Sequence, residues 1–220
     1  MTHPPIRSYV LRQGRFSPAQ QRAYEALLPR FGVAYRPDAL DWPTVFGRAA
    51  PVVVEIGSGM GQATAEIAAA HPRTDYLAIE VHAPGVGSLL KMLEEGSLAN
   101  VRVIQHDAVE VLRNMVPRDS LAGIHIFFPD PWPKKRHHKR RILQPEFAAL
   151  LAERLAPGGY IHFATDWQEY AEQAHAVLSA TQGLTPVSDE RGTRPQTRFE
   201  QRGLRLGHAV TDMHFTKEKP

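Results

Sequence analysis

The segment Ile126-Phe127-Phe128-Pro129-Asp130-Pro131-Trp132-Pro133-Lys134-Lys135-Arg136-His137-His138-Lys139-Arg140-Arg141 sets one carboxylate beside an aromatic ring and a long cationic strip. The apolar run reads as a buried strand. It feeds a loop stiffened by three prolines, each of which holds φ near about −65°. From Lys134 to Arg141 there are six Lys or Arg and two His without a break. Such a strip draws phosphates by Coulomb attraction and counterion release. An acid and a stacking ring at one end, with a polyanion-binding strip at the other, suit an enzyme that acts on a nucleic-acid base. They are an odd thing to build for a small-molecule enzyme.

A second constellation lies upstream. Gly57-Ser58-Gly59-Met60-Gly61 sits between the apolar run Val52-Val53-Val54-Glu55-Ile56 and a helical run from Gln62 to Ala70. Glycines let a backbone turn tightly and approach a ligand closely. Glu55 stands inside the strand, where a carboxylate without a partner is costly. Glu80 ends the next apolar run, where an acid can bind ribose hydroxyls. Asp107 follows the third run and can accept a hydrogen bond from an adenine amino group. The loop spacing is G-x-G-x-G rather than the G-x-G-x-x-G of a dinucleotide site, and Glu55 would repel a pyrophosphate. The residues favour S-adenosylmethionine, a cation with an amino group, over a dinucleotide. Turn glycines with no ligand are the third option.

These loops need strands to carry them to one place. Five apolar runs are expected as strands: Val52–Ile56, Tyr76–Glu80, Val101–Gln105, Ile124–Phe128 and Tyr160–Ala164. Helices are expected between them, over 62–70, 85–95, 108–115 and 145–155, with a fifth over 167–180. Alternation of this kind predicts an α/β fold with a doubly wound, mainly parallel sheet. Its strand C-termini, and so loops 57–61, 80–82, 106–107, 129–134 and 165–166, share one edge. Ala209–Phe215 alternates and is expected as a last, antiparallel strand. Ser17-Pro18 reads as an N-cap and first helical position, starting a helix to about Leu28. Residues 1–16 read as a mobile arm with little to bury, disordered without a partner, and 29–50 as irregular. The chain is thus read as an arm and helix over 1–50, joined in one domain with a catalytic part over 51–220.

Composition bounds the rest. The 220 residues are 43% hydrophobic and 22% charged, as in an ordinary globular protein. No apolar run approaches a membrane span, and the N-terminus lacks the apolar stretch of a signal peptide. The chain has no cysteine, which excludes disulfides and thiol nucleophiles and fits a reducing cytoplasm. No spacing suggests a metal ligand set. Net charge is +3 with a pI of 9.3, and residues 1–50 carry seven Arg against Glu25, Asp38 and Asp41.

The motifs together resemble the bacterial-type tRNA (guanine-N7-)-methyltransferases. The resemblance rests on the glycine loop with Glu55, Ile79-Glu80-Val81-His82, the Pro129–Lys134 loop and the basic run. It also rests on Ala164-Thr165-Asp166-Trp167, Thr197-Arg198-Phe199-Glu200-Gln201-Arg202-Gly203 and Arg12-Gln13-Gly14-Arg15. It implies a class I methyltransferase fold of the Rossmann-like type, with S-adenosylmethionine as methyl donor and N7 of guanine 46 in the tRNA variable loop as acceptor. It implies cofactor contacts from Glu55, Gly57, Gly59, Gly61, Glu80, Asp107 and Asp130, with Asp130 also as the active-site acid. Lys134, Asp166, Thr197, Arg198, Phe199 and Glu200 match the substrate-binding positions. Arg136, His137, His138, Lys139, Arg140 and Arg141 match the RNA-binding run. Arg198 stands where the family often has lysine, which keeps charge but not geometry. No obligatory protein partner is implied, and the chain is expected as a monomer or homodimer.

Guanine N7 has a lone pair and no proton, so its attack on a sulfonium methyl needs no general base. Asp130 is therefore expected to orient the base or the donor. Trp132 offers a stacking face for an extruded base, or equally packs under its loop. Asp166 is expected either at the substrate or capping the next helix. Three other readings compete: a base amino-methyltransferase, which uses an Asp-Pro-Pro-aromatic loop; a nicotinamide oxidoreductase; and a non-catalytic RNA-binding module.

Overall fold

The computed structural model describes residues 7–10, 14–205, 207 and 209–219. The side chains of Arg198, Phe199 and Arg202 lie outside that description, as do Arg12 and Gln13 of the N-terminal motif. Seven strands form one sheet: β1 (Val52–Ile56), β2 (Asp75–Ile79), β3 (Val101–Ile104), β4 (Leu121–Phe127), β5 (Leu155–Thr165), β6 (Leu184–Ser188) and β7 (Thr211–Lys217). Their order is β3-β2-β1-β4-β5-β7-β6. The first five are parallel, and β7 runs antiparallel between β5 and β6.

Every residue of β1 and β2 is buried, as strands covered on both faces must be. One face packs under α1 (Pro18–Phe31), α3 (Gln62–Ala70) and α4 (Ala83–Glu95), through Leu27, Phe31, Ile67, Val86, Leu89 and Leu93. The other packs under α5 (Ala108–Asn114), α6 (Pro145–Arg154) and α7 (Gln168–Ser179), through Val111, Leu112, Phe147, Leu151, Tyr170 and Leu178.

Helix α1 starts where expected and runs past Leu28 to Phe31. Ser17 Oγ accepts from the Gln20 amide (3.2 Å), and Gln20 Oε1 accepts from the Ser17 amide (2.9 Å). It packs closely on α4, and after it the Val33 amide donates to the Val103 carbonyl (2.8 Å), fastening the chain to edge strand β3. The stretch read as irregular contains a short helix, α2 (Trp42–Phe46), capped by Asp41 and ended by Gly47 at φ 74°.

The antiparallel last strand is present, in register from Tyr160 opposite Thr216 to Thr165 opposite Thr211. Three further elements were not expected. β6 is an edge strand with Pro186 inside it, which an edge tolerates because the lost amide is not needed for pairing. A 3₁₀ helix covers Lys135–Arg140, and α8 covers Arg198–Arg205. The helix expected over 145–155 ends at Arg154, and β5 begins directly after it, taking in Pro157-Gly158-Gly159 before the strand expected from Tyr160.

Candidate active site

Strand order reverses between β1 and β4, and the cleft outside that switch point is where ligands bind in open α/β sheets. A cleft of about 570 Å³ opens there, lined among others by Gly57, Glu80, His106, Phe128, Asp130 and Trp132. That size suits a nucleoside-sized ligand.

On the β1–β3 side each acid has a local partner. Glu55 is 3% exposed and accepts from the Thr64 hydroxyl of α3 (2.6 Å). Burial pushes its carboxyl up to about 7 against that bond, and Glu80 adds to the rise. Glu80 accepts three backbone bonds: Gly59 to Oε2 (2.7 Å), and Val81 and His82 to Oε1 (2.8 and 2.9 Å). A carboxylate has about four acceptor positions, so Glu80 fixes the loop and keeps capacity for one more donor. Gly57, Gly59 and Gly61 all have positive φ. At Gly61 a Cβ would also come within 2.5 Å of Leu89 Cβ, so α4 closes on the loop only over glycine. Asp107 is the N-cap of α5, accepting from the Val109 amide (2.8 Å), and burial together with the nearby Asp107 carboxylate pushes the Tyr9 hydroxyl up. Beside it His106 stacks on Tyr35, with centroids 3.7 Å apart.

On the β4 side the chain leaves the sheet under strain. Phe128 has φ 50° and Trp132 φ 46°, the left-handed region that bulky residues avoid. Asp130 lies between them, exposed at the cleft. The Trp132 indole donates to the Ser8 carbonyl (3.0 Å), and the Arg140 guanidinium sits 4.9 Å from its ring centre. The ring therefore lines the cleft and also braces its own loop.

The basic run divides in two. Lys134, Lys135, Arg136 and Lys139 are exposed, and His137, His138 and Arg140 are half-buried. Burial and the surrounding cations push His137 below the ordinary imidazole range. Arg141 departs from the exposed, phosphate-facing placement expected for it, being 2% exposed. Its Nε donates to the Pro131 carbonyl (2.8 Å) and its Nη1 to Gln173 (2.5 Å), and its guanidinium covers the Tyr170 ring. It holds the Asp130 loop from behind.

Glu200, which matches a substrate-binding position, is turned inward. It is fully buried and pairs with Arg191 and Arg194. Thr197 Oγ1 accepts from the Glu200 amide (3.2 Å) and so caps α8. Asp166 is half-buried after β5, and the N-cap of α7 is the next residue, Trp167. Of the expected cofactor and substrate residues, Gly57, Glu80 and Asp130 line the cleft, while among the described residues Glu55, Gly59, Gly61, Asp107, Lys134, Asp166, Thr197 and Glu200 lie outside its lining.

Sequence reasoning missed two contributors. Ser8, Tyr9 and Val10 line the cleft, and the disorder expected for 1–16 falls in part on residues outside those described. Arg194 was also missed. Its nearest sequence signal is its place three residues before Thr197, in a loop otherwise polar.

The family model described as "Putative methyltransferase" matches residues 49–213. A tRNA (guanine-N(7)-)-methyltransferase of Nitrosomonas eutropha is 57% identical over 220 residues, covering 98% of this chain and 98% of the relative. That of Thiobacillus denitrificans is 60% identical, covering 97% and 96%. That of Aromatoleum aromaticum is also 60% identical, covering 96% and 83%. Among solved structures, the 16S rRNA methyltransferase KamB superposes with a TM-score of 0.61 at 16% identity, covering 82% of this chain and 95% of that one. At that identity the likeness speaks for the fold, a class I methyltransferase sheet. Nearly full-length identity of this order carries more: the chain belongs to the tRNA (guanine-N(7)-)-methyltransferase family.

Proposed function

We propose that this protein transfers a methyl group from S-adenosylmethionine to N7 of guanine in tRNA, and that guanine 46 of the variable loop is the acceptor. The observation that carries the reading is the Asp130 loop, strained and braced at the switch-point cleft and continuous with an exposed basic helix. Bound in this cleft, S-adenosylmethionine supplies an electrophilic methyl group. The residues fit it. An ammonium beside Glu55 would provide the cation that a buried carboxylate calls for. Glu80 keeps an acceptor position for a hydroxyl, Asp107 would accept from the adenine amino group, and the glycine loop would allow close approach.

Asp130 accepts hydrogen bonds from the guanine edge and offsets positive charge as it develops on the base. It removes no proton, because N7 has none. Trp132 and Phe128 wall the base side and exclude water. Lys135, Arg136, Lys139 and Arg140 hold phosphates and set the tRNA's approach. Thr197 and Glu200 act by shaping the head of α8, with Lys134, Asp166, Arg198 and Phe199 as further substrate contacts. His137 and His138 lie within the phosphate-binding helix. The arm and α1 (residues 1–50) belong with 51–220 in one domain, in keeping with the packing of α1 on α4. The enzyme works in the cytoplasm as a monomer or homodimer without an obligatory partner.

The test is to incubate the protein with labelled S-adenosylmethionine and unmodified tRNA, then cleave with borohydride and aniline, which cuts at 7-methylguanine. Label with a cut at the variable loop is expected. Label without that cut contradicts the acceptor assignment.

A further inference from the structure

Arg194 has a side chain with no exposed surface, in a segment where a solvated loop would be expected. Its Nε and Nη2 donate to the two oxygens of Asp212 on β7 (2.7 and 2.8 Å). Its Nη1 and Nη2 donate to the two oxygens of Glu200 on α8 (2.7 and 3.2 Å). The guanidinium lies 5.7 Å from the Phe127 ring centre and 5.0 Å from that of Phe128. One planar group therefore has carboxylates at two edges and two rings against it. It joins the exit of β4 to α8 and β7, which come much later in the chain.

Buried ion pairs of this kind are poor evidence for stability, because apolar packing can often replace them without loss. What apolar packing does not reproduce is a fixed direction between three partners, which a rigid fork of donors supplies. Those partners matter for position. Phe128 is held at φ 50°, with its amide on the Ala164 carbonyl (2.8 Å), and Asp130 follows two residues later. Glu200 belongs to the first turn of α8, whose cap is Thr197. Arg191 also pairs with Glu200, and His162 with Asp212 (2.8 Å). The cluster is thus balanced in charge, with two arginines against two carboxylates.

We propose that Arg194 is a positioning residue for methyl transfer, joining the head of α8 to the strained exit of β4 so that both meet the base in one fixed register. The proposal rests on the reading of this cleft as a base-methylation site.

The test uses Arg194→Met/Asp212→Asn, which removes one charge of each sign and leaves Glu200 with Arg191. Thermal stability, calorimetric affinity for S-adenosylmethionine, and kcat and KM on a tRNA transcript are measured, with Arg194→Lys alongside. The double variant is expected to stay folded and to keep its cofactor affinity within about twofold. Its kcat should fall on the order of 30- to 100-fold, the scale of about a 1 Å misplacement. Arg194→Lys, a point charge in place of a fork, should recover less than about a tenth of the rate. A double variant within about threefold of wild type overturns the proposal. So does a loss of rate that matches the loss of folded protein, because that is what a purely structural pair would give. Total label transferred to RNA and the atom that carries it are scored separately. Loss of transfer in the variant then tests Arg194 whichever atom is methylated, while label away from N7 in the wild type overturns only the functional reading.

Discussion

The two sides of the cleft hold their acids in opposite ways. On the β1–β3 side, Glu55, Glu80 and Asp107 are fixed from close by: a hydroxyl one helix turn past the glycine loop, three loop amides, and the amide of Val109. On the β4–β7 side, Asp130 is exposed on a strained loop. That loop is braced by long side chains from afar, Arg141 at the Pro131 carbonyl and Arg194 at the two phenylalanines. A small, constant ligand can be enclosed by local backbone. A base that arrives on a macromolecule has to be met by a loop presented outward, and its stiffness must then come from behind. The two sides should therefore fail separately when mutated.

The largest separation is expected from Glu55→Gln. Affinity for S-adenosylmethionine should fall about 100-fold or more, by loss of a buried charge partner, while tRNA binding in a filter assay stays unchanged. The same variant carries a pH signature. Glu55 has its folded-state pKa at about 7, above its ordinary value of 4.5. Between those values the folded state holds a proton that the unfolded state has released, so this group costs stability as pH rises through the window. The cost is complete above about pH 7 and on the order of 3 kcal/mol. Glu55→Gln removes it, so melting of the ligand-free variant should exceed wild type at pH 8 and converge with it near pH 4.5. Parallel curves would mean that Glu55 is ionised throughout.

Asp130→Asn should do the reverse, lowering kcat about 100-fold while calorimetric cofactor affinity falls far less than in Glu55→Gln. Equal loss of both would merge the two sides into one. Arg141→Met should come next. It leaves the Pro131 carbonyl without its donor, at about 1–3 kcal/mol, and lowers kcat more than it raises KM for tRNA. A rise in KM alone would return Arg141 to the phosphate-binding strip. The smallest effect per residue belongs to Arg136, Lys139 and Arg140. Alanine at each should weaken tRNA binding and flatten its salt dependence, by about 0.7 to 0.9 in log–log slope for each phosphate no longer neutralised. Unchanged slopes would mean that the strip faces away from the RNA.

This contrast also explains what was legible in the sequence. Glu55 and Asp107 act through partners a few residues on, and Glu80 through its own next two amides and the glycine loop of the preceding strand, so two consecutive strand-loop-helix patterns reveal them. Asp130 was legible because prolines and a basic run frame it. Arg141 was not, since as the last member of that run it is identical in type to Arg140, and only the fold turns it inward against Tyr170. Glu200 stands in a polar stretch in which nothing signals burial until Arg191 and Arg194 close over it. β6 escaped because Leu184-Thr185-Pro186-Val187-Ser188 carries a proline and only one buried residue. Packing in three dimensions decides each of these, and periodicity does not record it.

The central claim is that transfer depends on alignment and charge at Asp130, with no proton removed. The most direct test is the single-turnover rate of the preformed cofactor complex on tRNA as a function of pH, for wild type and Asp130→Asn. The account predicts a profile from about pH 6.5 to 9 that is nearly flat for both proteins and lower throughout for the variant. A steep rise on one deprotonation near neutrality, present in wild type and abolished in Asp130→Asn, would make Asp130 a general base and contradict it.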